Sequence, residues 1–215
     1  MGRPGPAAHG KVTRVPPLDE LTPDDVLQYR FAIPADADAI AALHVDSWRR
    51  HYRGAYRDEY LDRGAPEDRR TFWRERFRVA SEDQFTVVAQ REPKGDREGE
   101  AEGEGYLAGF AHTCFDADLQ WGALLDNLHV RYDLKRQGVG RALMARSAAA
   151  LLERRPASRL YLYVLQQNAA AQGFYGALGG VVVAEEPARP IAGGGTAPVY
   201  RVAWRDPRLL LRGQG

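Results

Sequence analysis

The chain has 215 residues, 44% apolar and 27% charged, enough for one α/β-sized domain with a full core. Thirty basic against 29 acidic groups leave a formal charge of +1, so no bulk field steers the protein toward nucleic acid or an anionic membrane. The lone Cys114 excludes an intramolecular disulfide, no Cys and His set has zinc-site spacing, and no stretch nears the roughly 18 apolar residues of a membrane span. The first twenty residues lack a signal-peptide core, so a cytoplasmic chain without metal, nucleic-acid or membrane partners is expected.

Residues 1–27 hold Pro4, Pro6, Pro16 and Pro17 with few large apolar groups, and are expected as a flexible arm ahead of one domain over 28–205. An extended run over 29–33 stops at Pro34, and Asp36 then precedes Ile40, Ala41, Leu43 and Val45 at helical spacing. Trp48, Tyr52 and Tyr56 follow at four-residue steps, on one helical face or on a helix end running into a turn at Gly54. They read as core anchors or as a pocket wall. Pro66 opens a second helix, with Glu67 and Asp68 in its first turn and Phe72, Trp73 and Phe77 as its buried stripe. The period then falls to two for strands over 85–90 and 106–115, which flank an acidic Gly/Glu loop at 91–105. A strand over 124–131 leads into a helix over 138–154 that ends before Pro156. A strand at 160–165 and a helix at 168–178 ending in Gly179-Gly180 come next, then strands at 181–184 and 199–204 and a tail at 206–215. The predicted order is β-α-α-β-β-β-α-β-α-β-β, a mixed α/β fold.

The most informative stretch is 128–144, LHVRYDLKRQGVGRALM, in which a strand passes through Lys135, Arg136 and Gln137 into Gly138-Val139-Gly140 and a helix carrying Arg141. Glycines at a helix start bring backbone N–H groups and the positive helix end close to an anion, although the same spacing also serves a plain tight turn. No Gly-Lys-Ser/Thr follows, and Leu143 stands where a dinucleotide fingerprint needs its third glycine.

This run resembles the acyl-CoA signature of the GNAT N-acetyltransferase superfamily, with Leu128 and Val130 on the strand pattern and Lys135, Gly138 and Gly140 on the signature positions. Lys135 stands where Gln or Arg is usual, which keeps the charge without the planar fork. The segment 162–180 resembles the superfamily's later motif through Asn168, Ala171, Phe174, Tyr175, Leu178 and Gly179, with Gly180 in place of the usual final Phe. The opening from Tyr29 is also similar to the start of many bacterial members, so the resemblance spans roughly 28–205.

The resemblance implies a mostly antiparallel mixed sheet, splayed between its fourth and fifth strands, with acetyl-CoA as co-substrate and acetyl transfer to a primary amine by direct attack. It implies cofactor contacts at Leu128, His129 and Val130, at the turn from Lys135 to Arg141 including Val139, and at Asn168 and Phe174, with the Leu128 N–H polarising the thioester carbonyl. It makes Tyr175 the general acid, against a reading as a packing tyrosine. Asn168 also suits a helix N-cap. The strand position that often holds a Glu base is Leu124 here, which leaves Asp126 as base or as a structural carboxylate. Period two puts Asp126 on the face of Leu124, Leu128 and Val130 and His129 on the opposite face, unless a bulge intervenes. Trp48, Tyr52 and Tyr56 are the candidate acceptor contacts, and Asp46, His51 and Asp58 are polar candidates for a cationic acceptor. The acceptor is read as a small-molecule or peptide amine, a homodimer is left open, and a non-catalytic acyl-CoA sensor or an enzyme acting on a protein N-terminus or lysine are the rival readings.

Overall fold

The computed structural model describes residues 27–79, 81–91 and 105–212. The expected arm apart from Leu27, which belongs to β1, and most of the expected acidic loop lie outside the described residues. The elements run β1 (Leu27–Phe31), α1 (Ala37–His51), α2 (Ala65–Arg78), β2 (Gln84–Arg91), β3 (Tyr106–Asp118), β4 (Gly122–Val130), α3 (Val139–Arg154), β5 (Leu160–Leu165), α4 (Ala169–Ala177), β6 (Val181–Pro190) and β7 (Thr196–Trp204). This is the order anticipated. The last two strands are longer than turn signals suggested, because pairing of β6 with β7 continues to Pro190 and Thr196 across two register shifts.

One seven-stranded sheet results, in the order β1-β2-β3-β4-β5-β7-β6. Neighbours are antiparallel except β4 and β5, which are parallel and pair only at Ala123 with Leu160 and Leu124 with Tyr161. Beyond those residues the two strands part. The alanine-rich α3 is buried over most of its circumference and packs Val139, Leu143, Met144 and Leu151 on one sheet face. Ile40, Leu43 and Trp73 of α1 and α2 meet Val88 and Phe110 on the other. The packed unit continues past the expected tail boundary, since residues Pro207–Leu211 form a single 3-10 turn whose Leu210 is buried in the α3 core.

One local signal acts differently from expectation, and the aromatic run takes the helix-end alternative. Asp36 makes no side-chain cap on α1; its carboxylate accepts both guanidinium arms of Arg30 (2.7 and 2.8 Å) and the Ile33 N–H (2.8 Å), tying β1 to the helix start. Helix α1 ends at His51, so Tyr52 and Tyr56 lie beyond it, on the turn through Gly54 at φ 85°. Ring packing keeps the three aromatics together where helical periodicity no longer does.

Three histidines are buried in this frame. His44 Nδ1 accepts from the Trp73 indole (3.0 Å), His112 Nδ1 meets Thr86 Oγ1 (2.8 Å) and His129 Nδ1 meets Ser47 Oγ (2.8 Å). Burial pushes all three below the usual range, with His112 and His129 at about 3; a secondary contribution comes from Arg76 at His112 and from His51 at His129. The folded protein holds them neutral while the unfolded chain protonates near pH 6.5, so their contribution is whole above that pH and fades as pH falls toward 3. The unfolding free energy read from urea titrations should therefore be level above about pH 6.5 and fall below it toward pH 4, by up to about 1.4 kcal/mol per pH unit for each of His112 and His129. His129→Gln should flatten that slope by close to one proton, and a midpoint level between pH 7 and pH 5 would contradict the assignment.

Candidate active site

The parting of β4 and β5 sets the site. The Arg131 N–H bonds the Ala108 carbonyl across to β3, and antiparallel pairs alternate between bonded and non-bonded. The pairs of His129 with Phe110 and Asn127 with His112 therefore exchange hydrogen bonds, while Leu128 and Val130 turn their N–H and C=O groups toward β5, where no ladder meets them. Buried backbone groups require partners, so this edge is suited to an extended ligand chain. Leu128 and Val130 point their side chains into the α3 core, and His129 points the other way, to Ser47 of α1. The His129 ring is thus a buried structural group, and only its backbone remains for a cofactor.

Asp126 is the extra residue of a bulge. Register passes from Asn127 opposite His112 to Leu125 opposite Thr113, which leaves Asp126 without a partner on β3. The expected shared face with Leu128 is lost for that reason. Its carboxylate turns to α2, where it meets Arg76 (3.3 Å), and it also accepts from the side chain of Asn127 (2.8 Å).

A cavity of about 400 Å³ threads the gap. Asp126, Leu128 and Tyr175 line it together with Trp48, Tyr52 and Tyr56, so the two candidate catalytic side chains and the three candidate acceptor contacts share one space. The rings form a ladder, Trp48 on Tyr52 (5.9 Å), Tyr52 on Tyr56 (5.2 Å) and Tyr56 on Tyr60 (6.4 Å). The tip of the β6–β7 hairpin covers its far end: Gly193, at φ 76°, lies against the Tyr60 ring, where a Cβ would not fit, and its carbonyl accepts from Arg57. Burial, aided by the Asp126 charge, pushes the Tyr52 hydroxyl up to about 12. Burial likewise raises Tyr175 well above the usual 10, with Tyr52 adding to the effect, so its phenol is held protonated and available as a donor. Cys114, at the same end of the sheet, has its thiol raised by burial and is a poor nucleophile.

The turn into α3 has the shape of an anion cradle. Arg136 (φ 62°) and Gly138 (φ 85°) are both left-handed, and Gly138 is the N-cap. Gly138 is favoured by its dihedral, since the space beside it is open, whereas Gly140 packs closely: a Cβ there would lie 3.2 Å from the Phe174 ring. Phe174 thereby locks α4 against the start of α3. Gln137 donates back to the Asp133 carbonyl (3.0 Å) and tightens the loop. Lys135 meets His51 Nε2 at 2.5 Å at the end of α1, and burial followed by the Arg50 charge lowers its pKa. Val139 is buried in the core, so its side chain is structural, while Arg141 is exposed on the first turn of α3. Asn168 caps α4 through Oδ1, which accepts from the Ala171 N–H (3.1 Å).

Two arginines of α2 had no place in the sequence reading. Arg69 and Arg76 line the cavity beside Phe72, and each guanidinium lies over that ring, at 4.4 and 4.5 Å. Positions 69, 72, 73 and 76 share one helical face, so the signal was the charge flanking the apolar stripe. Asp46 and Asp58, the acids considered for a cationic acceptor, pair with Arg50 and Arg53 and do not line the cavity.

The fold and this site define an acyltransferase-type α/β domain, and the chain belongs to the acetyltransferase (GNAT) family, whose sequence profile matches residues 45–179. Among solved structures it is similar to the PaiA N-acetyltransferase of Thermoplasma acidophilum in complex with coenzyme A, with 17% identity, a TM-score of 0.58 and coverage of 83% of this chain and 99% of that one. It is also similar to YncA of Salmonella typhimurium, solved with its cofactor acetyl-CoA (20% identity, TM-score 0.54, 84% and 94% covered). A third is the ribosomal-protein-S18-alanine N-acetyltransferase of Escherichia coli (24%, 0.52, 82% and 92%). No curated protein matches the chain.

Gly180, the departure from the family motif, has a physical cause. A Cβ there would lie 2.6 Å from the Trp204 indole, 2.8 Å from Val202 and 2.9 Å from the Tyr175 carbonyl, so the indole occupies the room a larger residue would need. Gly180→Ala should cost about 2 kcal/mol and lower Tm by roughly 4–8 °C. Gly173→Ala, in open space on α4, should instead raise Tm, by up to about 1 kcal/mol of helix propensity. Equal effects of the two in thermal unfolding would refute this account of Gly180.

Proposed function

We propose that the protein is an acetyl-CoA-dependent N-acetyltransferase that acts on the primary amine of a small molecule, by direct attack in a ternary complex. The observation that carries this reading is the single cavity at the β4–β5 gap that joins the unpaired backbone of Leu128 to Asp126, Tyr175 and the aromatic ladder. The fit to the co-substrate rests on that open strand edge and on the left-handed turn before α3. Acetyl-CoA, when bound, supplies an activated thioester carbonyl.

The chain's own residues account for the rest. The turn from Lys135 to Arg141 receives the anionic end of the co-substrate, and the backbone of β4 aligns its extended arm. The Leu128 N–H points where negative charge develops on the carbonyl oxygen as the amine attacks. Asp126 takes the amine proton, directly or through water, and the Tyr175 hydroxyl donates to the departing sulfur. The amine lone pair forms the amide bond, the carbon–sulfur bond breaks, and the free thiol leaves. Holding both reactants in one gap replaces a bimolecular encounter with a positioned one.

The pairing of Arg76 with Asp126 favours one rival, a sensor that keeps the cradle without turnover, because a carboxylate held by a guanidinium is occupied. Thiol release from acetyl-CoA against an amine panel, with product masses, separates the two. Tyr175→Phe should lower kcat by about 10²-fold or more and Asp126→Asn by a similar factor, with acetyl-CoA affinity kept within about threefold. Tight acetyl-CoA binding with no turnover on any amine, and no response to these substitutions, would leave the sensor.

A further inference from the structure

We infer that the acceptor is an amine that carries a carboxylate within a few bonds of its nitrogen, as an α-amino acid does, with the carboxylate held on the Arg69 and Arg76 side of the cavity. The inference rests on the acetyltransferase reading and deepens it. The ionised groups among the lining residues are Arg69, Arg76 and Asp126, two cations against one anion. His44 and His129 line the same space but are held neutral by burial. A cationic amine such as a polyamine would find one carboxylate in the lining, Asp126, and that one already beside Arg76.

Of the two guanidiniums, Arg69 is the more buried. Its side chain is 11% exposed and makes one ion pair, to Asp68 (3.1 Å), which also accepts from the Tyr60 hydroxyl. Its Nε is buried without a hydrogen-bond partner, and otherwise the group is held by its stacking on Trp48 (4.8 Å) and Phe72 (4.4 Å). A guanidinium has five N–H donors in a fork that fits a carboxylate, so a charge this far from water has capacity to spare for an anion. Arg76 stands on the other side of the recognition, bonded to Asp126 at a long 3.3 Å. A ligand with ammonium and carboxylate close together matches this charge order, the nitrogen at Asp126 and the carboxylate at the arginines. The aromatic ladder leaves an apolar wall for the substituent.

The test uses matched triples of free amino acid, its amide and its decarboxylated amine, built on glycine, leucine and phenylalanine. Each compound is assayed for kcat/KM with acetyl-CoA, and for binding by calorimetry to the intact protein saturated with CoA. At least one acid should exceed its amide and amine about thirty-fold in kcat/KM, roughly 2 kcal/mol of discrimination at 1.4 kcal/mol per tenfold, and should bind more tightly than either. Arg69→Gln should collapse that acid-over-amide ratio below about fivefold, and Arg69→Lys, which keeps the charge and loses the fork, should leave it between. Amides or simple amines used as well as the acids in every triple would overturn the inference while the acetyltransferase stands. Absence of turnover with acetyl-CoA bound would count against the enzyme, and the calorimetric preference would still decide the subsite: no acid bound better than its amide overturns it.

Discussion

Everything in this protein's site depends on two strands that stop pairing. β4 and β5 share two residue pairs and then separate inside a sheet that is otherwise continuous. A gap in the middle of a sheet exposes N–H and C=O groups to an interior where each unmet group costs about 1–3 kcal/mol. Such a gap persists only if something polar and extended can lie in it, or if water does. The two strands are parallel, so both run toward the same end, and each leads through a connecting segment to a helix there, β4 to α3 and β5 to α4. Both helix starts, with the Gly138 turn on one and the Asn168 cap on the other, are brought to the mouth of the gap by connectivity alone. Open α/β sheets bind ligands outside the carboxyl ends of parallel strands for the same reason.

The bulge at Asp126 is the second constraint, and it decides which side of the sheet receives the carboxylate. Without it, the strand's alternation would send the carboxylate into the α3 core with Leu128, where an unpaired charge could not stay. With it, Asp126 faces α2 and the cavity, beside Tyr52 and Arg76. One inserted residue therefore separates the unpaired backbone edge of β4 from the side-chain wall of the cavity. The aromatic ladder and the cation-rich face of α2 belong to the second surface.

This division explains what was legible in the sequence. The element order follows from hydrophobic period, proline stops and glycine turns, which are local and survive translation into structure. The glycine turn into α3 was legible as well, because its backbone needs a particular residue at a fixed place: Gly138 for its left-handed dihedral. The bulge had no such marker; Asp126 is neither glycine nor flanked by one, and only the register with β3 reveals it. Arg69 and Arg76 were hidden for a different reason. They flank an apolar stripe, and a guanidinium beside buried rings reads from sequence as a solvated helix face. Only the packing of α2 over the gap turns these side chains inward.

The same division bears on how specificity is built. Contacts made by main-chain groups are insensitive to side-chain change, so the donor surface can be kept while the acceptor surface varies. In this chain the cavity wall facing β4 is drawn from α1, the turn after it, α2 and the β6–β7 hairpin. Trp48, Phe72 and the two arginines form one stacked unit in which each charge lies over a ring. A guanidinium stacked in this way keeps part of its stabilisation without water, which lets it stay charged at the edge of an apolar cavity. Replacing the ring would loosen the charge, and replacing the charge would leave the ring exposed to the cavity. The rings and charges of this α2 face therefore support one another, and a change at one of them disturbs the rest.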